Sequence, residues 1–287
     1  MGLASRSAEG SALFLEIDDW RRWCESLAPW LDQRFHPTVL ERFHEAVQPD
    51  WLTWLDAEQA AQTGTNDSSR ALFAPYLHAT YQGVRVFHAT RLPDLNGVRA
   101  QGLRAWSADE LRLAARDALD AAVAPVQLER SIALNDPVHR GGRVYSFASL
   151  SHTLGTLDGD RPGRLPAFAR QGGEFLGSVA EQAGVGEHYT RRPGRAFLLA
   201  CDVPWESMSD DLASGIAHDV LTSLLTWRFL DVSAYSMLGR YECISTHRDI
   251  PPESIQAFAD VEHAVDRTDV KASEIPWQAF RHDESLR

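Results

Sequence analysis

The stretch that most constrains this chain is Val84 to Thr90 (VRVFHAT), with the turn and short helix after it. Val84, Val86 and Phe87 supply the β-branched and aromatic content of a strand, and Gly83 is the break before it. His88 falls at the C-terminal end of that strand, where side chains leave a sheet and face a crevice. Ala89 is small enough for a ligand to approach the backbone. Thr90 to Asp94 (TRLPD) reads as a helix start, with Thr90 or Asp94 as cap and Pro93 tolerated in the first turn. Gly102 suits the left-handed position that ends such a helix. A ring nitrogen at a strand end, beside a backbone amide that can be reached, is a way to hold a sugar hydroxyl and a carboxamide together.

Other segments alternate in type along the chain. Residues 13–60 read as helical: Ile17, Trp20, Trp23, Leu27, Trp30 and Leu31 fall at three- and four-residue steps. Five of the nine tryptophans lie in this region (20, 23, 30, 51 and 54), as the core of a helical layer or as a groove for a protein partner. The polar run Gln62 to Arg70 marks a boundary, with an N-terminal helical region at 1–70 and a second domain at 71–287. Ser107 to Ala124 is a helix opened by a Ser107/Glu110 capping box. Arg143 to Ser149 (RVYSFAS), Arg195 to Val203 (RAFLLACDV) and Arg240 to Thr246 (RYECIST) read as strands. Residues 155–173 form a loop rich in Gly, Pro and Arg, and helices are expected over 174–183, 216–230 and from about Ser254. Strands separated by helices and long loops predict an α+β domain.

Composition narrows the function classes. No run approaches the roughly 20 apolar residues that span a bilayer. The N-terminus lacks the basic-then-apolar pattern of a secretory signal, and Arg6 breaks the myristoylation pattern. Cys24, Cys201 and Cys243 are far apart, which suits a reducing compartment and argues against a cysteine-rich zinc site. A cytoplasmic protein without a membrane partner is expected. The net charge of −12 weighs against broad nucleic-acid affinity. Residues 139–195 reverse the balance, with 8 Arg against 5 Asp and Glu. Lys271 is the only lysine, so the positive charge is guanidinium, which grips phosphate bidentately. The histidines lack metal-ligand spacing, and neither a P-loop nor a dinucleotide-binding glycine motif is present.

Three residues on three strand candidates stand out: His88, Tyr145 and Glu242. A carboxylate between Tyr241 and Cys243, amid apolar strand residues, is costly to bury unless it is paired or used. In order and local context these segments resemble the ADP-ribosyltransferase superfamily, in its His-Tyr-Glu branch of diphtheria toxin and the poly(ADP-ribose) polymerases. VFHAT followed by VRAQGL is similar to that family's first strand and helix. RVYSFAS resembles its tyrosine-bearing strand, and RYECIS followed by DIPPESI resembles the strand of the catalytic glutamate.

The resemblance implies a split mixed and antiparallel β-sheet core with flanking helices, preceded by the N-terminal helical region. It implies NAD as co-substrate and an acceptor that is protein, nucleic acid or small molecule. His88 would bond a ribose 2′-hydroxyl, and the Ala89 backbone with Thr90 would hold the carboxamide. Tyr145, with Ser146 beside it, would stack on nicotinamide. Glu242 would stabilise the positive charge that develops as the glycosidic bond breaks, and Arg143 and Arg164 would meet the pyrophosphate. The chain departs from the family where Ala89 replaces the usual Gly and where Thr156 stands at the spacing of a second tyrosine. Arg240 stands two residues before Glu242, which argues against the arginine-modifying branch despite the Ser149-Leu150-Ser151 run. NAD hydrolysis, RNA 2′-phosphate removal, or an inactive binding module are the alternatives.

Overall fold

The structure is a computed structural model that describes residues 13–42, 51–64, 67–154, 163, 165, 173–186, 194–230 and 243–280. Strand β4 (Arg195–Pro204) is its centre, with eight successive residues buried from Ala196 to Val203. A strand buried on both faces needs a layer on each side and a neighbour along each edge. On one edge β2 (Gly83–Leu92) runs antiparallel to it over the full length, from Gly83 opposite Pro204 to Leu92 opposite Arg195. On the other edge lies β6 (Ile255–Asp260), followed by β7 (Gln278–Ala279). The outer edge of β2 carries β1 (Phe14–Leu15) in parallel, so the sheet is mixed, in the order β1-β2-β4-β6-β7. A second, antiparallel sheet pairs β3 (Val144–Ser146) with β5 (Ile244–Thr246).

The expected α+β class is therefore observed, with four segments differing from expectation. Thr90 to Leu92 continue β2 where a helix start is expected, and the helix that follows begins only at Asn96, so Thr90 does not cap it and Pro93 lies before it. Phe14–Leu15 is strand, because pairing to the β2 edge outweighs the helical periodicity of residues 17–31. Residues 255–260 are strand where a helix is expected: Ile255, Ala257 and Ala259 are buried and alternate with more exposed neighbours, the two-residue repeat of a sheet. Only a short 3-10 turn, Pro252–Ser254, forms at the proline pair. The helix expected over 107–124 is α6 (Ala108–Leu119), whose Ser107/Glu110 capping box forms as read; a separate helix, α7 (Pro125–Leu134), starts with Pro125 in its first turn.

Helices cover one face of the sheet, and mainly loops and short turns cover the other. α1 (Trp20–Arg34), α2 (Pro37–Glu41), α3 (Trp51–Thr63), α4 (Ser69–Thr80) and the long α11 (Asp210–Leu230) share one core with Val84, Val86 and Leu199 of the sheet. Trp23 and Trp30 are buried in it, while Trp20 and Trp54 pack against it half-buried. The N-terminal segment is thus built into the same sheet and core as the rest. On the opposite face Phe87, Ala89, Leu198 and Ala200 pack with Phe147, Val265 and Ile275. A third cluster joins α6 and α7 to α10 (Glu174–Gln182) beside a short α8 (Pro137–Arg140). No helix among the described residues is long and apolar enough to cross a membrane.

Two ion-pair clusters pin β2 at its ends. Arg85 bonds Asp202 through Nε (2.8 Å) and Nη2 (3.1 Å), and reaches Glu16 at 3.2 Å. Arg91 grips both carboxylate oxygens of Glu262 at 2.8 Å, and Glu262 also accepts from the Ala196 amide at 2.9 Å. Between these anchors lies the segment that builds the candidate site.

Candidate functional site

The site arises from how β2 shares its outer edge. β1 pairs there with Gly83 and Val84. Three residues on, Phe147 takes over: its amide donates to the Phe87 carbonyl at 2.9 Å, and the Phe87 amide donates to its carbonyl at 2.7 Å. That bridge is the one backbone pairing between β2 and the β3 segment among the described residues. The two strands then diverge, and the imidazole of His88 spans the opening, with Nδ1 2.8 Å from the Tyr145 carbonyl oxygen.

This contact fixes the chemistry of the ring. A carbonyl oxygen only accepts, so Nδ1 carries the proton and Nε2 of the neutral ring is left as an acceptor. Burial pushes the His88 pKa down, against an upward pull from the Tyr145 carbonyl, so the ring is neutral near pH 7.

The backbone at Ala89 is available for a different reason. In a strand the N–H and C=O of one residue point to the same edge, and residues two apart share that edge. Phe87 spends both groups on Phe147, so the N–H and C=O of Ala89 point to the same side, beyond the bridge. There β2 has no strand partner among the described residues. The methyl group of Ala89 is buried in the core on the sheet's other face. A donor and an acceptor on one edge match the acceptor and donor of a primary carboxamide.

Tyr145 closes the opposite wall. Its pKa is raised by burial, with the nearby Arg143 and Arg140 guanidinia partly offsetting this. The Arg143 guanidinium lies near the phenol and has no carboxylate partner among the described residues. The Arg140 guanidinium lies over the ring at 6.0 Å from its centroid. Ser146 is buried, with its Oγ lacking a hydrogen-bond partner among the described residues.

These groups line one cavity of about 840 Å³, within the range of sites that enclose a small molecule or cofactor. Its wall includes His88, Ala89, Thr90, Arg143, Tyr145 and Ser146. Of the eight residues singled out in the sequence, six are brought together there; Glu242 and Arg164 lie outside the described residues. Cys243, next to Glu242 in sequence, is exposed and lines the same cavity. The far end is closed by Trp106, Phe175 and Leu176 from the third cluster, and Arg140 completes the cationic side. Sequence reasoning does not single out these four, although Arg140 lies in the arginine-rich stretch. Gly102, which ends α5 (Asn96–Gln101), is essential to the floor: its φ is +74°, and a Cβ there would collide with the Ile250 carbonyl. Its neighbour Leu103 exchanges two backbone bonds with Ile250, at 2.8 and 2.9 Å.

Among the described residues no group of three or more His, Cys, Asp or Glu is placed to hold a metal ion. No family model matches the chain, and no curated protein matches its sequence.

Proposed function

We propose that this protein is an NAD-dependent ADP-ribosyltransferase of the His-Tyr-Glu type, with the split between β2 and β3 as the nicotinamide end of its site. The observation that supports this most is the meeting in one cavity of the His88 acceptor nitrogen, the Ala89 peptide edge and the Tyr145 ring. A ribose hydroxyl donates to His88 Nε2, and the carboxamide of nicotinamide pairs with the Ala89 N–H and C=O. Tyr145 offers a π-face to a ring that is cationic before it leaves. Arg143, a guanidinium without a carboxylate partner among the described residues, receives the pyrophosphate.

In the reaction the bond between ribose C1′ and the nicotinamide nitrogen breaks, and its electron pair stays with the nitrogen. The positive charge passes to the ribose ring as an oxocarbenium-like state, and a nucleophilic acceptor then bonds to C1′ and loses its proton. Glu242 is assigned to stabilise that charge, since an anion held near the sugar is what such a transition state requires. The acceptor is a macromolecule or a small molecule.

The test is Glu242→Gln measured by nicotinamide release from NAD, with circular dichroism as the control for folding. A fall of about 100-fold or more in turnover by a folded variant, of the order seen when one stabilising group is removed, supports the reading. Unchanged turnover, or no turnover by the parent, overturns it. Labelled NAD in the same assay separates transfer from hydrolysis: nicotinamide without a labelled acceptor means that water is the acceptor.

A further inference from the structure

The outer edge of β2 is divided between two segments that are far apart in sequence, β1 at Gly83–Val84 and Phe147 at Phe87. One side chain stitches the seam. Asp18, just beyond β1, accepts from the Ser149 hydroxyl through Oδ1 at 2.6 Å. Its Oδ2 accepts from the amides of Leu150 and Ser151, at 2.8 and 3.3 Å. The carboxylate thereby caps the start of the short helix α9 (Leu150–Thr153), which continues the Tyr145 segment.

The segment carrying Tyr145 has short backbone pairings among the described residues. β3 is three residues long and is paired to an equally short β5. Toward β2 it has the Phe87–Phe147 bridge, supported by stacking of those rings at 5.8 Å. The carbonyl that fixes the His88 tautomer lies two residues before that bridge, and the Asp18 contacts begin two residues after it. The segment is thus tied on both sides of the bridge, and the Asp18 bonds fix the direction in which it leaves β2.

We propose that Asp18 is a positioning residue for the site. By clamping the Ser149–Ser151 turn it sets the angle at which the Tyr145 segment leaves β2, and so holds the Tyr145 carbonyl against His88. The N-terminal segment then belongs to the working site although none of its described residues lines the cavity wall.

The experiment compares Asp18→Ala and Asp18→Asn in the full chain by two readouts. The first is the ring Nδ1–H resonance of His88, observed by NMR and assigned with a His88→Gln control. It requires no substrate and is independent of the proposed function. The second is kcat and KM for NAD, which rests on that reading. Asp18→Ala is expected to lose the protected Nδ1–H signal and to lower kcat/KM about 10- to 100-fold, the scale on which small misplacements act. Asp18→Asn keeps an acceptor oxygen and is expected to retain the signal and most of the rate. A folded Asp18→Ala protein with an intact Nδ1–H signal overturns the proposal whatever the kinetics. Loss of the signal in a protein whose parent does not cleave NAD supports the clamp and refutes the enzymatic reading. Should Asp18→Ala fail to fold, Ser149→Ala, which removes the 2.6 Å bond, is read the same way: a weakened Nδ1–H signal supports the clamp, and an unchanged one overturns it.

Discussion

Replacing Glu262 by Ala tests how the C-terminal end of β2 is held. Glu262 takes two bonds from Arg91 at 2.8 Å and one from the Ala196 amide at 2.9 Å. The Arg91 side chain is 4% exposed and that of Glu262 25%, so removing the carboxylate takes two charge-assisted bonds from a buried guanidinium while the acid site is open to some water. Breaking a buried pair from one side costs about 3–5 kcal/mol. Water reaching the vacated position softens this, so the expected loss is about 2–3 kcal/mol, at or just below the bottom of that range. At roughly 2–4 °C per kcal/mol for a domain of this size, the melting temperature falls by about 5–10 °C. Urea denaturation with linear extrapolation measures the loss directly. The double variant Arg91→Met, Glu262→Leu removes both charges and is expected to recover much of it, because the penalty lies in a buried charge that has lost its carboxylate. A Glu262→Ala loss below about 0.5 kcal/mol, or a double variant as damaged as the two single losses added together, refutes the reasoning.

Two further outcomes are expected. Burial lowers the pKa of His88, and that of His78 where it stacks on Trp205 at 4.5 Å, below the ordinary 6.5. Between the lowered and the ordinary value the unfolded chain binds more protons, so this stability is complete above pH 6.5 and is lost as pH falls below it. The urea midpoint should drop from pH 7 to pH 5, and His78→Gln should flatten the slope; a slope that the variant leaves unchanged refutes the His78 assignment. Among the three thiols, Cys24 is pushed up to about 12 by burial and Cys201 is raised by burial beside Asp202, whereas Cys243 is exposed on the cavity wall. A thiol-specific dye should therefore react rapidly with one cysteine in the native protein and three after denaturation, with NAD slowing the first. A second rapidly reacting native thiol would contradict the burial of the other two.

Segments whose signals are local are readable from the sequence. The β2 strand is announced by Val84, Val86 and Phe87, and the α6 start by Ser107 and Glu110, because β-branching and capping act within a few residues. β1 is two residues long and is strand only because an edge of β2 is there to receive it. The 255–260 strand is concealed by the Pro251-Pro252-Glu253 start signal, although Ile255, Ala257 and Ala259 carry the two-residue alternation. In the site, His88 and Tyr145 are legible only through the order and local context of their segments, VFHAT and RVYSFAS, since either residue alone is ordinary in a strand. Trp106, Phe175 and Leu176 look like ordinary core residues, and only the packing of α6 and α10 brings them to the cavity. Asp18 gives no signal either, since its partners are more than 130 residues away.

The position of β1 has a consequence for handling the molecule. A fragment starting at the polar run 62–70 would keep β2 but lose the strand that covers Gly83 and Val84, together with the bond from the Gln82 amide to the Leu13 carbonyl. Peptide groups bared along a sheet margin recruit other chains, so such a fragment is expected to self-associate rather than behave as an isolated catalytic half. A soluble shortened version would need its cut before Leu13, or a lysine or proline placed at Gln82 to discourage a foreign strand.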